Sequence, residues 1–144
     1  MRKNKTLCLM LAALLVFCLV SPVQAKTKYI TASKAGLKSN WYLTHYQIQS
    51  IKGNTLKYRT ARLVVGANDV MSVKFGKSKT AKLTSSTKYY IGNTSRYAGT
   101  SSKWIYKTTK KNFKKKLTGK EWWDVVLVKK GKVQKVFTKM QIAG

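Results

Sequence analysis

The residues best supplied for chemistry in this chain are cations. In KTTKKNFKKKLTGK, residues 107–120, seven lysines (Lys107, Lys110, Lys111, Lys114, Lys115, Lys116 and Lys120) stand without one acidic residue. A lysine ammonium is a compact point charge on a flexible stem, so such a cluster attracts anions without reading their shape. On a helix, Lys107/Lys111, Lys110/Lys114, Lys111/Lys115 and Lys116/Lys120 are like-charge pairs four residues apart, each costing about 0.2–0.5 kcal/mol. Lys110 and Lys111 also oppose the positive end of the helix dipole. The run therefore reads as the solvated face of a short helix and, electrostatically, as a polyanion-binding surface whose misfit, on the order of 1 kcal/mol, a bound anion relieves.

Acid–base chemistry has little to work with. Beyond residue 25 the chain holds one histidine, His45, and three acids, Asp69, Glu121 and Asp124. Glu121 and Asp124 fall three apart in an expected strand, so their side chains leave opposite faces and do not converge on one bond. His45 has no partner in the sequence and reads as a packed or surface ring. Metal-ligand groups are too few for a site. GKSKT at 76–80 lacks the glycine that a phosphate loop needs five residues before its Gly-Lys pair, since position 71 is Met; it reads as a turn with exposed lysines. No catalytic residue, metal or cofactor is expected, and the chain reads as non-enzymatic.

Aromatic residues come in adjacent pairs: Trp41-Tyr42, Tyr89-Tyr90 and Trp122-Trp123. Neighbours in a strand point to opposite faces, so each pair is expected to place one ring inside and one outside. Tyr89, Tyr90, Trp104, Trp122 and Trp123 are the candidate stacking rings, each worth about 1–3 kcal/mol per stacked base. The competing reading is cross-strand packing beneath lysine stems.

Charge sets the class of partner. The chain has 30 basic residues, of which Arg2, Lys3 and Lys5 precede residue 26; the remaining 27 face three acids, a net charge of +24. Surfaces built only for solubility stop at a net charge of roughly 2–8 for a small domain. The excess must be screened from outside, by salt or a polyanion.

The first 25 residues have the form of a secretory signal peptide: basic residues, an apolar run of 14 residues from Leu7 to Val20, a break at Ser21-Pro22, and small residues ending at Ala25. The run is shorter than the roughly 20 residues that span a bilayer, so cleavage near Ala25 and a secreted or envelope-associated product are expected. Val16-Phe17 before Cys18 is too bulky for a lipoprotein site. Both cysteines, Cys8 and Cys18, lie in this segment, so no disulfide or thiolate site is expected beyond it.

Positioning these residues falls to strands. Residues 26–40 read as an N-terminal extension or first edge strand, and 41–144 as one domain. Period-two patterning gives strands near 41–51, 54–65, 70–75, 81–91 (interrupted by TSST), 103–107, 121–130 and 132–142. Gly53-Asn54 and Gly131 mark tight hairpins. The lysine run is the one expected helix: Thr108 or Thr109 caps it, Phe113 and Leu117 form its dry face, and Gly119 ends it. Its apolar face cannot sustain it alone, so it is expected to plug one end of the β structure. Residues 92–102, GNTSRYAGTSS, read as a connector.

Taken as the first hairpin and the 81–91 strand, the helix and the closing hairpin, the order is three strands, a helix and two strands, that of an OB-type barrel. QIQSIKGNTLKY (47–58), LTSSTKYY (83–90) and DVVLVKKGKVQKV (124–136) resemble the first hairpin, third strand and closing hairpin of small OB-like domains of unknown function from exported bacterial proteins. The resemblance implies an all-β, mainly antiparallel small barrel with one short helix before the final β-hairpin, and supplies no catalytic signature. The expected function is electrostatic association with an anionic wall polymer, such as wall teichoic acid, or an anionic membrane surface; the alternative is extracellular nucleic acid. A membrane-active toxin would need a long amphipathic helix, which two apolar residues do not make. Lysines and outward rings sharing one groove would favour nucleic acid, and charge spread evenly over the barrel would favour the wall.

Overall fold

The computed structural model describes residues 26–96 and 101–141. The expected signal segment 1–25, part of the connector and the last residue of the expected closing strand lie outside the described residues. Eight strands and one helix follow in the order β1 (His45–Lys52), β2 (Thr55–Val65), β3 (Met71–Phe75), β4 (Lys79–Lys82), β5 (Lys88–Gly92), β6 (Ile105–Thr108), α1 (Lys110–Lys116), β7 (Val125–Lys129) and β8 (Lys132–Thr138).

Pairing runs β1-β2-β4-β8-β5-β6, with β3 added to β2 and β7 to β8. The expected third strand is split into β4 and β5 by TSST, where Thr87 Oγ1 accepts the Thr84 N–H at 2.9 Å and donates to the Val133 carbonyl at 2.8 Å. Both halves join β8 in parallel, at Lys82↔Lys132 and from Lys88↔Lys135 to Ile91↔Thr138. The other pairings between strands are antiparallel. The sheet curls until β1 meets the residue before β7: Tyr46 N–H donates to the Asp124 carbonyl at 2.9 Å and Asp124 N–H to that of Tyr46 at 3.0 Å. The result is an all-β, partly open OB-like barrel with its helix before the last hairpin.

Two cores lie on the two faces of this sheet. Ile48, Leu56, Leu83, Tyr89, Phe113, Val126, Val133 and Val136 fill the barrel. Ala32, Ala35, Leu37, Trp41, Tyr90, Trp104, Ile105, Val125, Phe137 and Met140 form the second, outside it. Successive residues enter opposite cores, as the β pleat requires: Tyr89 and Tyr90, Val125 and Val126, Val136 and Phe137. Residues 26–40 supply the cover for the outer face through one bridge, Ile30↔Ile105, and a turn that buries Ala32 and Ala35.

Three boundaries differ from the period-two reading. Trp41–Leu43 is a 3-10 turn, pinned by the burial of Trp41 in the outer core. β7 starts only at Val125; the Trp122 and Trp123 rings stack at 3.7 Å, which neighbours in a regular strand cannot do because they leave opposite faces. β8 stops at Thr138, where Lys139 turns to φ 57.

The helix is capped by Thr109, whose hydroxyl accepts the Asn112 N–H at 3.2 Å. Phe113 is fully buried and Leu117 packs against the barrel core. The helix does not simply plug an end. Lys110 reaches the 53–54 turn, a Cβ on Gly119 would lie 2.8 Å from the Gln49 carbonyl, and the Lys120 carbonyl accepts Gln47 Nε2 at 3.0 Å. The segment thus runs beside β1, covering the edge that β2 leaves free.

Candidate polyanion-binding surface

Lys110 differs from the other lysines of the run. Its Nζ donates to the Gly53 carbonyl at 2.7 Å and to Asn54 Oδ1 at 2.9 Å, fastening the helix start to the β1–β2 turn. Lys111, Lys114, Lys115 and Lys116 stand exposed on the helix, with Lys107 on β6 and Lys120 beyond Gly119. Since the helix spans only Lys110–Lys116, the expected pairs Lys107/Lys111 and Lys116/Lys120 are not helical neighbours. The repulsion falls on Lys110/Lys114 and Lys111/Lys115.

Carboxylates do little to neutralise this surface. Among the described residues the one salt bridge is Lys139–Glu121 at 2.9 Å. Asp124 is buried, and Asp69 sits in the β2–β3 turn. Exposed cations occur on every strand, from Lys52 on β1 through Lys57, Lys74, Lys79, Lys88, Lys107 and Lys129 to Lys132 on β8.

Topology concentrates some of them. The Lys82 N–H donates to the Gly131 carbonyl at 2.9 Å, and the Leu83 N–H to the Asn54 carbonyl at 2.8 Å. The two hairpin turns therefore meet at one end of the barrel, bringing together Lys52, Lys82, Lys129, Lys130, Lys132 and, through its hydrogen bonds, Lys110. Sequence reasoning placed both turns but missed this cluster. Its signal is the lysines flanking each turn, IKGNTLK and VKKGKV; their adjacency depends on the parallel join of β4 to β8.

Two clefts flank Tyr106 on β6. One, of about 380 Å³, is lined by Tyr29, Asn93, Ser95, Tyr106, Lys116 and Lys139. The other, of about 530 Å³, is lined by Lys26, Lys28, Tyr90, Tyr106, Lys107 and Asn112. Lys107 and Lys116, from the two sides of the predicted run, thus border separate clefts. Tyr29 packs edge-on to Tyr106 at 5.8 Å, its hydroxyl accepts Asn93 Nδ2 at 2.9 Å, and the Arg96 guanidinium lies over its ring. Burial, then the neighbouring Tyr29, push the Tyr106 hydroxyl pKa up against the opposing pull of Lys139, so it stays a protonated donor toward an anion.

The expected stacking rings are placed otherwise. Tyr89, Tyr90 and Trp104 are buried: Tyr89 points into the barrel core, while Tyr90 and Trp104 lie on the outer sheet face, expected to be wet but covered by residues 30–41. Tyr90 instead stacks on Phe137 at 4.7 Å and borders the second cleft only by its edge of exposed surface. Trp122 and Trp123 are half-buried, stacked on each other, with the His45 ring edge-on to both at 5.8 and 5.2 Å. The half-buried rings that line these clefts beside lysines are Tyr29 and Tyr106, which the adjacent-pair rule could not single out.

The acids also depart from expectation. Glu121 precedes β7 and pairs with Lys139, while Asp124 turns inward, accepting the Ile48 N–H and the Thr138 hydroxyl at 2.8 Å each. Opposite-face geometry does not apply outside the strand. Burial raises the Asp124 pKa from 3.8 to about 7, assisted by the nearby Glu121 charge and opposed by those two hydrogen bonds and Lys139. Burial lowers that of His45. The pocket beside His45 is lined by Tyr42, Leu43, Thr44, Thr60, Ala61, Arg62 and Leu63 and gathers no carboxylate. Among the described residues no group of three His, Cys, Asp or Glu could hold a metal, and no helix is long and apolar enough to cross a membrane.

These features are read from the chain's own residues: comparison with known proteins finds no family model, no curated protein and no solved structure that matches it.

Proposed function

We propose that this is an exported, non-enzymatic binding domain held by charge to an anionic envelope polymer of the polyol-phosphate kind, such as wall teichoic acid, or to an anionic membrane surface. The observation that carries the reading is the spread of exposed cations over all eight strands and the helix, against a single salt bridge among the described residues. Lysine outnumbers arginine 24 to three beyond residue 25, which suits point-charge attraction along a flexible polymer better than bidentate recognition of one group. Export supplies the encounter, since the first 25 residues have the form of a signal peptide.

The test is retention of the purified protein on isolated wall polymer, on anionic vesicles and on single-stranded nucleic acid across a salt series. Counter-ion release predicts that log affinity falls linearly with log salt. Retention that survives molar salt, or absence of binding to wall polymer and vesicles at low salt, would overturn the reading.

The Tyr106 clefts favour a second reading, in which a single nucleic-acid strand follows the helix lysines and lays bases on Tyr29 and Tyr106. Tighter binding to single strands than to wall polymer at equal salt would select it.

A further inference from the structure

Strand β2 outlasts its partner β1. Their pairing ends at His45↔Ala61, and from Arg62 to Val65 β2 is paired only with β3, by Arg62↔Lys74, Leu63↔Val73, Val64↔Ser72 and Val65↔Met71. The two strands form an arm extending about 13 Å past that last pair, at roughly 3.3 Å per residue.

The outer edge of β3 is chemically unfinished. The Gly66 N–H donates to the Val70 carbonyl at 2.9 Å and the Gly76 N–H to that of Thr60 at 3.0 Å, so the even-numbered residues of β3 face β2. Antiparallel alternation turns the N–H and C=O of Met71, Val73 and Phe75 the other way. No strand among the described residues takes them, and such an edge is a template for another strand. The same register puts Leu63, Val65, Met71, Val73 and Phe75 on one face, where Leu63, Val65, Met71 and Phe75 are 40%, 62%, 61% and 39% exposed.

Charge selects the occupant. Beyond the Arg62↔Lys74 pair at the base of the arm, Leu63–Val73 contains no basic residue and one acid, Asp69, in a chain otherwise crowded with cations. A second copy can approach this arm with least repulsion, and the arm's reach exceeds the Debye length of about 8 Å at physiological ionic strength.

We propose that β3 pairs antiparallel with β3 of a second copy about a two-fold axis at Val73. This register opposes Val73 to Val73 and Met71 to Phe75 through outward-facing backbone groups, and brings the Asp69 end of each arm toward the Lys77 end of the other. Shifting the axis to Lys74 opposes two like charges, and shifting it to Ser72 sets Phe75 against Asp69. The contact is isologous and closed, and it joins two basic bodies into one bivalent binder, so that avidity adds to single-site affinity.

Sedimentation velocity of the purified chain in about 0.3 M salt, from about 1 µM to 0.5 mM, tests this. A reversible monomer–dimer equilibrium is expected. Asp69→Lys and Lys77→Asp should each raise the dimer dissociation constant about fivefold, the double variant should restore it, and Val73→Lys should abolish the dimer while leaving the circular dichroism spectrum intact. A monomer throughout, a dimer indifferent to Val73→Lys, open-ended aggregates, or failure of the charge swap to rescue would each overturn the proposal. None of these outcomes depends on the anionic ligand.

Discussion

Asp124 accepts the backbone N–H of Ile48 at 2.8 Å, so a fully buried carboxyl ties the start of β7 to the middle of β1 across the seam where the barrel closes. Its other oxygen accepts the Thr138 hydroxyl on β8. One side chain thus bridges three strands.

That position has a pH signature. The folded pKa of Asp124 is raised from 3.8 to about 7, chiefly by burial, so between those values the folded chain holds a proton that the unfolded chain has lost. Stability from this group is fully present at low pH and declines as pH rises from about 4 to 7. His45 acts with opposite sign: its lowered pKa makes stability rise with pH toward 6.5, where the unfolded ring also becomes neutral. Denaturant midpoints measured from pH 4 to 8 should separate the two. Asp124→Asn should flatten the falling limb and be more stable than the parent at pH 8 by on the order of 1–3 kcal/mol; His45→Phe should remove the rising limb.

Lys110 and its exposed neighbours should answer to different measurements. Lys110→Gln breaks the bonds to Gly53 and Asn54 and should lower stability by about 0.5–1.5 kcal/mol, with little change in the salt slope of binding. Lys111, Lys114, Lys115 and Lys116 changed together to Gln should leave the melting temperature equal or raised, by easing the 111/115 repulsion, while flattening the slope and weakening polyanion binding. Equal affinity in the fourfold variant would make the helix a bystander.

Gly119 was legible as a helix stop, but its structural role is tighter than that. The helix has already turned out at Leu117, with ψ 123; Gly119 takes φ 73 where the chain presses on the Gln49 carbonyl. Alanine there meets both the left-handed penalty of about 1–2 kcal/mol and a contact of 2.8 Å. Chemical denaturation should show Gly119→Ala destabilised by at least that amount, with the loss spread to β1 in hydrogen exchange.

What the sequence made legible follows from local rules. The pleat period, the glycines at 53 and 131 and the Thr109 cap are encoded within a few residues, and β2, β3 and α1 lie close to expectation, while β1, β7 and β8 are present but each about four residues shorter at one end. Which rings face water is not local. Tyr89 and Tyr90 do leave opposite faces, but the outer one is covered by Ala32, Ala35, Leu37 and Trp41, a segment more than forty residues away whose docking no period announces. The lysine cluster at the joined turns was hidden for the same reason, since it forms only when β4 meets β8. Trp122 and Trp123 broke the alternation because they stack on each other against His45.

Tyr106 offers the sharpest division between the two ligand classes. It lines both clefts, is half-buried, and is held by the edge of Tyr29. If bases stack there, Tyr106→Ala should cost about 1–3 kcal/mol in single-strand affinity, with an unchanged salt slope because no cation is removed. A polyol-phosphate chain has no flat face to lay on the ring, so whatever affinity it loses in Tyr106→Ala comes from the hydroxyl and should be lost equally in Tyr106→Phe. Tyr106→Phe separates the hydroxyl from the ring: it should preserve base binding and weaken a phosphate that takes the protonated hydroxyl. Parallel titrations of the two variants against oligonucleotide and wall polymer therefore place the ligand in the Tyr106 clefts or on the lysine surface outside them. Unchanged binding of both ligands by both variants would leave the clefts without a part in recognition and confine it to the distributed lysines.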